Sequence, residues 1–446
     1  MFLDMQIAKP GHLALAMLLT ALSAHAQAPP QATGPTSDEG SRMVTPAPVN
    51  GEGYSLEFAS ETPRTNYISG GLNFSSAYDD GVTFNGTAPV SDVTYSIWPT
   101  IALNQSRSHL NWDLFYSPGF TFYQKNTSLN QTDQAAGLSL RYRFSPHVTL
   151  QVHDDFRKTS NLLGESGQNP ANSNIGGLNS ATIVVAPVTD QIINQGNVGI
   201  TYQFAANGMV GITGFSSIWQ FPNLAPDTGL LNSNTRGGEA FYTYRIAGRH
   251  YLGITYRYQD FRTTPDGSDT QSHSAFLFYS VLLKPRISLS LFGGPEYSDT
   301  NTGTPPTFSQ WSPAGGGSFG WQGSTTSVAA SVRKSISSGN GLAGATNSSS
   351  GDLSLRKQLT RNLTAGLGAN YSDNKTLQGV VSSAVSGHTL GGTASMDLAL
   401  QEHLSVGIGY TRFHQSYANI LAIANTPDRD RVYISLSYQF RRPIGR

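Results

Sequence analysis

Apolar residues recur at every second position from Thr65 to the end of the chain, and this period of two limits the fold more than any other feature. The residues between them are mostly Ser, Thr, Gly, Asn, Gln and Arg. Three of the clearest runs place apolar side chains at Leu138, Leu140, Tyr142 and Phe144, at Leu252, Ile254, Tyr256 and Tyr258, and at Leu404, Val406, Ile408 and Tyr410. Successive side chains of a strand point to opposite faces, so the pattern predicts strands with one apolar and one wet face.

The connections between these runs alternate between short turns and longer polar segments. Eight short turns recur about every 40 residues, at 106–109, 145–147, 205–208, 248–250, 284–286, 323–325, 360–362 and 401–403. Eight turns join nine hairpins, so we expect about 18 strands, with both ends of the sheet on the turn side. The count falls to 16 if the weaker segments 313–323 and 391–400 are not strands.

These patterns predict an all-β fold, namely a transmembrane antiparallel up-and-down β-barrel with short periplasmic turns and long extracellular loops. A β-sandwich also alternates, but here there are too many consecutive strands for two small sheets and no hairpin crosses another. Charged residues make up 13% of the chain, about half the usual share of a soluble domain, as expected of a sheet with one face in lipid. The formal net charge of zero argues against a nucleic-acid partner.

The N-terminus has the features of a secretory signal peptide over residues 1–26. Lys9 precedes a mostly apolar run over 13–22, and Ala24 and Ala26 form a small-residue cleavage site. The run is too short to span a bilayer as a helix. Residues 27–63 are rich in Pro, Gly, Ser and acidic residues and are interpreted as a flexible periplasmic arm; the alternative is an arm that binds a periplasmic partner, or a small plug. We expect the barrel over 64–440 and a short tail over 441–446.

The last strand of the barrel ends on an aromatic residue. Its sequence contains Tyr433, Ile434, Leu436, Tyr438 and Phe440. This strand resembles the C-terminal signal of bacterial outer-membrane proteins, although in many of those proteins the aromatic residue is the final one. As a pattern, nearly the whole mature chain resembles the porin-like barrels of that membrane. The resemblance implies insertion by the barrel assembly machinery, location in the cell outer membrane, and contact with its lipid and lipopolysaccharide.

If the apolar positions face lipid, the residues at the alternate positions of each strand face the lumen. The charged residues at these inward positions are the candidate selectivity residues Arg141, Arg143, Arg245, Arg257, Arg333, Arg356, Asp113, Asp155, Glu239 and Asp397, with Glu296 beside them. Rings of Arg or Lys select anions, so one interpretation is a cation-lined constriction, with Arg141 and Arg143 as its best local candidates. The alternative is a wet wall whose charges pair across strands.

Three functions remain open from these residues. The first is a porin-like channel for small polar or anionic solutes, with the long segment 159–191 either folded inward as a constriction or lying outside as a surface loop. The second is an export pore for an exopolysaccharide, and the third is a non-conducting barrel that displays its loops. A homo-oligomer fits any of the three.

Signatures of enzymes are missing from the sequence. No Ser lies in a nucleophile elbow, no two His are spaced for zinc, and no Gly-rich phosphate loop opens a helix. His153, Asp154 and Asp155 come closest to a catalytic cluster, but no nucleophile accompanies them, so a hydrated cluster at the rim is the better interpretation. We therefore expect no catalytic residue, no cofactor and no metal.

Overall fold

The computed structural model describes residues 66–85, 88–160, 189–222, 230–264, 268–284, 286–301, 307–339, 341–342, 344–377, 386–417 and 428–444. The expected signal peptide, the expected arm and most of the segment 159–191 lie outside these residues. Eighteen strands are present: β1 (Tyr67–Asn85), β2 (Ala88–Ser106), β3 (Leu110–Tyr123), β4 (Gln131–Arg143), β5 (Val148–Thr159), β6 (Gln191–Ala205), β7 (Gly208–Gln220), β8 (Asn232–Ala247), β9 (His250–Thr264), β10 (Asp269–Lys284), β11 (Ile287–Asn301), β12 (Phe308–Gln322), β13 (Thr326–Ser338), β14 (Ala345–Gln358), β15 (Leu363–Thr376), β16 (Ser386–Ala399), β17 (Leu404–Tyr417) and β18 (Asp428–Pro443).

The strands form one closed antiparallel sheet. Each strand pairs with its neighbours along the chain, and β1 pairs with both β2 and β18. The predicted all-β up-and-down barrel with 18 strands is therefore confirmed. The two weaker segments are strands, since they lie within β12 and β16.

The two ends of the barrel differ in their connections, and we call them the turn end and the loop end. All eight predicted short turns join strands at the turn end. Connections at the loop end are mostly longer, but β1 and β2 are joined by only two residues, 86–87. The strict alternation of lengths expected from the sequence is therefore wrong at this hairpin. The reason is that β1 and β2 each have 19 residues, so their ladder extends to the pair Asn85 and Ala88 in place of a loop.

The strands place apolar side chains outside and polar side chains inside. On β9, Leu252 and Ile254 point outward and are 44% and 49% exposed, whereas Thr255 and Arg257 point inward and are 1% and 4% exposed. This is the inverse of a soluble domain and the expected arrangement for strands in lipid. The resemblance to porin-like barrels is thus confirmed at the level of the fold. Among the described residues, no helix is both long and apolar enough to cross a membrane.

The last strand closes the barrel against the first. Ile434, Leu436, Tyr438 and Phe440 are exposed on the outer face, while Tyr433 lies on the inner face. The strand continues beyond Phe440 into the expected tail, where Arg441 and Arg442 pair with Ser69 and Ile68. It does so because β1 begins at Tyr67 and so still offers backbone partners at this level.

Candidate functional site in the barrel interior

The ten candidate lumen residues share the inner face but occupy two levels. Six of them lie within three residues of the turn end of their strands: Arg141, Arg143, Arg245, Arg356, Asp113 and Asp397. The other four lie seven or eight residues from it, near mid-height: Arg257, Arg333, Glu239 and Asp155. The two levels are separated by roughly 15 Å of strand at about 3.3 Å per residue, so they are distinct sites.

At the turn end, two arginines face the open lumen. Arg141 on β4 and Arg356 on β14 are both exposed, and nine strands lie between them in one direction and seven in the other, so they lie on nearly opposite sides of the barrel. Among the described residues, the Arg141 side chain has no hydrogen bond or ion pair. Arg356 lies near Asp397, close enough for the two charges to interact. A solute that enters from this end therefore meets Arg141 as an uncompensated positive charge.

The other turn-end charges are held by neighbours. Arg245 donates two hydrogen bonds to the side-chain oxygen of Asn207, at 3.0 and 2.9 Å, and one to the carbonyl oxygen of Ala206 at 3.0 Å. Asp113 accepts a hydrogen bond of 2.6 Å from the Asn104 amide. Both contacts restrain the side chains, so these two residues contribute to the shape of the mouth more than to a mobile charge. Arg143, the last residue of β4, is half-buried.

At mid-height, the charges form a balanced and buried network. Glu239, Arg257 and Glu296 are 7%, 4% and 1% exposed. Arg257 and Arg333 both lie close enough to stabilise the two carboxylates electrostatically. Two guanidinium groups thus face two carboxylates, so the formal charge of this four-residue cluster is zero and these arginines do not form a free anion filter.

Aromatic rings hold the same two arginines from the side. The Arg257 guanidinium carbon lies 4.7 Å from the centre of the Phe215 ring, and that of Arg333 lies 6.0 Å from the centre of the Phe292 ring. These are cation–π distances, and such contacts strengthen when water is excluded. The mid-height network is therefore fixed in place by aromatic contacts as well as by charge.

The inner face of the barrel is buried in its loop-end half. Inward side chains in this half are buried all around the wall, including Asp79, Asp133, Gln191, Thr235, Ser298, Ser372, Thr389, Gln415 and Arg431. Arg429 and Asp79 form an ion pair of 2.6 Å there, with both side chains buried. At the turn end, inward residues such as Ser139, Arg141, Ser354 and Arg356 are exposed, whereas Met209, Tyr251 and Ser288 on β7, β9 and β11 are buried. Among the described residues, the inner face is thus exposed near the turn ends of β4 and β14 and buried in the loop-end half.

The loop ends of β13 and β14 bend into the lumen, and we call residues 335–345, of which 340 and 343 lie outside the described residues, the inward hairpin. Ile336 belongs to one buried apolar cluster with Phe261 of β9, four strands away. The backbone N–H of Leu231, just before β8, donates to the carbonyl oxygen of Gly341 at 2.9 Å. Gly341 has a φ of +109°, and a Cβ there would lie 3.0 Å from the Phe221 ring, so only glycine fits without strain. The inward hairpin therefore narrows the lumen.

The alternation of apolar residues does not predict the inward hairpin. The constriction expected from the sequence is 159–191, of which 161–188 lie outside the described residues. A signal for the inward hairpin was nevertheless present, because Gly339, Gly341 and Gly344 surround Leu342 in a short connection. A buried apolar side chain flanked by glycines suits a tight turn inside a protein better than a surface loop.

The residues considered for catalysis do not converge. His153 and Asp155 point inward and their side chains are 2.8 Å apart, whereas Asp154 points outward and accepts hydrogen bonds from Asn194. In the part of the chain that the structure describes, no group of three or more His, Cys, Asp or Glu residues could hold a metal ion.

Comparison with known proteins gives weak similarities only. No family model matches the chain, and no curated protein matches it. Among solved structures, OccK2 (OpdF) of Pseudomonas aeruginosa is 13% identical, over 84% of this chain and 98% of that one, with a TM-score of 0.42. A BenF-like porin from Pseudomonas fluorescens is 12% identical, over 84% and 99%, with a TM-score of 0.41. The ferric citrate transporter FecA is 10% identical, over 85% and 79%, with a TM-score of 0.45. These similarities are too weak to transfer a solute or a site residue to this chain.

Proposed function

We propose that this chain is a gated channel of the bacterial outer membrane that admits small anionic or polar solutes. The observation that carries the proposal is the asymmetry of the inner face, where Arg141 and Arg356 are exposed at the turn end while the inward side chains of the loop-end half are buried. The expected signal peptide and the apolar exterior support the location. Short turns face the periplasm in barrels of that membrane, so the open mouth faces the periplasm.

Anion preference follows from the charges that a solute can reach. The mid-height arginines are compensated by Glu239 and Glu296, whereas Arg141 has no partner among the described residues. A low-dielectric wall focuses the field of such a charge into the lumen, which concentrates anions there. The turn-end mouth is therefore the selectivity region in this proposal, and the mid-height network is structural.

The inward hairpin supplies the gate. It lies next to the balanced network, and its contacts include the hydrogen bonds of Ile336 with Glu296 and of Gly341 with Leu231. Opening bends the hairpin back toward the wall and breaks these contacts, while the strand ladder of the barrel stays intact. Conduction then occurs in discrete steps between closed and open levels.

The test is single-channel recording from the refolded mature chain in planar lipid bilayers, with ion selectivity taken from reversal potentials. We expect gated steps with anion preference, and a shift toward cations in the double variant Arg141→Gln, Arg356→Gln. The matched control is Arg412→Gln, since Arg412 points outward and pairs with Asp428 and Asp430. Unchanged selectivity in the double variant contradicts the assignment of the filter.

The buried loop-end half favours one second candidate, a non-conducting barrel that displays its loops. A variant lacking residues 337–344 of the inward hairpin separates the two functions. Frequent opening of this variant supports the gated channel. If neither the native chain nor the variant conducts ions, and both show the heat-modifiable migration of a folded barrel, the display function is supported.

A further inference from the structure

The barrel wall between β12 and β13 is paired over only part of its height. Residues 315–322 of β12 pair with 327–334 of β13, and the ladder stops at Gly315 and Lys334. Above that level β12 continues to Phe308 and remains paired with β11. Among the described residues, no strand pairs with the other edge of 308–314. We call the space between 308–314 and 335–338 the lateral opening.

Two prolines explain why the ladder ends there. Pro313 lies opposite Pro295 on β11, and neither residue has an N–H to donate. Pairing of β11 with β10 is also interrupted at this level, since no pairs involve Gly294 and Pro295. Without a donor at Pro313, β13 loses its partner and turns inward at Ser335 to form the inward hairpin. The lateral opening and the inward hairpin thus have the same structural cause.

The lateral opening lies in the loop-end half of the lipid belt. Lys334 is eight residues from the start of β13, and at about 3.3 Å per residue and a tilt near 40° this is roughly 20 Å along the barrel axis. The apolar belt of such barrels is about 25 Å tall, so the opening begins inside it and reaches the outer interface.

The floor of the lateral opening is basic and its outer rim is aromatic. Arg333 points into the lumen and Lys334 points outward into the belt, where it is exposed. On the rim, Trp311 is 71% exposed and its ring centre lies 5.1 Å from that of Tyr297. On the lumen side, Ile336 and Phe261 are buried in one apolar cluster, so this side of the lateral opening is covered.

We infer that the lateral opening is a binding site, open to the outer leaflet, for an amphipathic anion with one long acyl chain, such as a fatty acid. A lysine facing lipid is unfavourable without an anionic partner, and a carboxylate at this depth supplies one. The acyl chain then lies along the exposed Trp311 on the outer face. A β-strand of another protein suits this edge poorly, because Pro313 blocks regular pairing.

Cysteine pairs test the opening, since the native chain has no cysteine. Continuing the ladder from Gly315 and Lys334 would place Ser312 opposite Ser337. We expect the double variant Ser312→Cys, Ser337→Cys to resist cross-linking by mild oxidant, while the control Ser318→Cys, Ser331→Cys cross-links readily because Ser318 and Ser331 are paired. Equal cross-linking of the two variants would show a closed wall and overturn the proposal.

The ligand is tested with a photoactivatable long-chain fatty acid in phosphatidylcholine liposomes that contain the folded barrel. We expect labelling of β12 near Trp311 and of β13 near Lys334, with several-fold less from the fatty alcohol of the same length. Lys334→Gln should reduce labelling several-fold, and Lys357→Gln, at the turn end of the neighbouring strand, should not. Uniform labelling of the apolar belt, or equal labelling by acid and alcohol, overturns the proposal. Neither result depends on ion conduction, so the channel function is judged separately.

Discussion

The backbone N–H of Ile336 donates a 2.9 Å hydrogen bond to the carboxylate of Glu296, two strands away in the barrel. A strand in the wall would give this N–H to its neighbouring strand. The bond therefore marks the point where β13 leaves the wall, and it ties the inward hairpin to the mid-height charge network.

Removing the charge of Glu296 should loosen the inward hairpin. Hydrogen bonds to charged groups contribute about 1.5–3 kcal/mol, so Glu296→Gln should raise the ratio of open to closed states by about tenfold or more. Single-channel recording measures this ratio directly. Asp299→Asn is the control and should leave gating as in the native chain, because Asp299 lies three residues further along β11, on the outer face, and accepts a hydrogen bond from Ser309. Equal gating in both variants would contradict the role of the bond.

A methyl group at Gly341 should destabilise the inward hairpin at the connection between β13 and β14. Gly341→Ala places a Cβ at a φ of +109° and 3.0 Å from the Phe221 ring. Such backbone strain costs on the order of 1–3 kcal/mol, so we expect longer open times and faster proteolysis of the hairpin. The control is Gly392→Ala, where a Cβ would have no neighbour within 4 Å. Proteolysis as slow as in the control would show that the hairpin tolerates the methyl group.

The ion pair that joins the first and last strands should contribute strongly to stability. Asp79 and Arg429 are both buried and 2.6 Å apart. Asp79→Asn leaves the guanidinium without its counter-charge, which costs about 3–5 kcal/mol for a buried pair. Urea unfolding followed by heat-modifiable migration measures the loss. Asp428→Asn breaks an exposed contact with Arg412 and should cost under about 1 kcal/mol. Equal losses of stability in the two variants would show that the buried ion pair contributes no more than the exposed one.

A carboxyl pair above the apolar belt should make stability depend on pH. Burial, the hydrogen bond with Asp260 and the Asp260 charge raise the pKa of Asp269 to about 6, while Arg262 acts in the opposite direction. Because the folded pKa lies above the ordinary value of 3.8, the folded state binds more protons, and stability falls as pH rises through this window. Asp269→Asn should therefore stabilise the barrel above about pH 6 and change little below pH 4. Urea midpoints at pH 4 and pH 7 give the comparison, and a gain that is the same at both pH values would contradict the shift.

Much of the fold could be predicted because alternation and short turns are local features of the sequence. Alternation along each strand assigned Leu252 to lipid and Arg257 to the interior, and the recurring short turns indicated 18 strands. The site was predictable only in part. Parity placed Arg141 and Arg257 on the same inner face, but it could not show that Arg141 is exposed while Arg257 is buried among Phe215 and two carboxylates.

The sequence by itself determined which face each side chain occupies, since a strand repeats every two residues whatever lies beside it. Only the tertiary structure decided which residues meet, because closure brings together partners such as Asp79 and Arg429, which are 350 positions apart. The same holds for the wall between β12 and β13. Pro313 is visible in the sequence as a missing donor, but the inward turn at Ser335 depends on Glu296 and Phe261, which reach that point only after the barrel has closed.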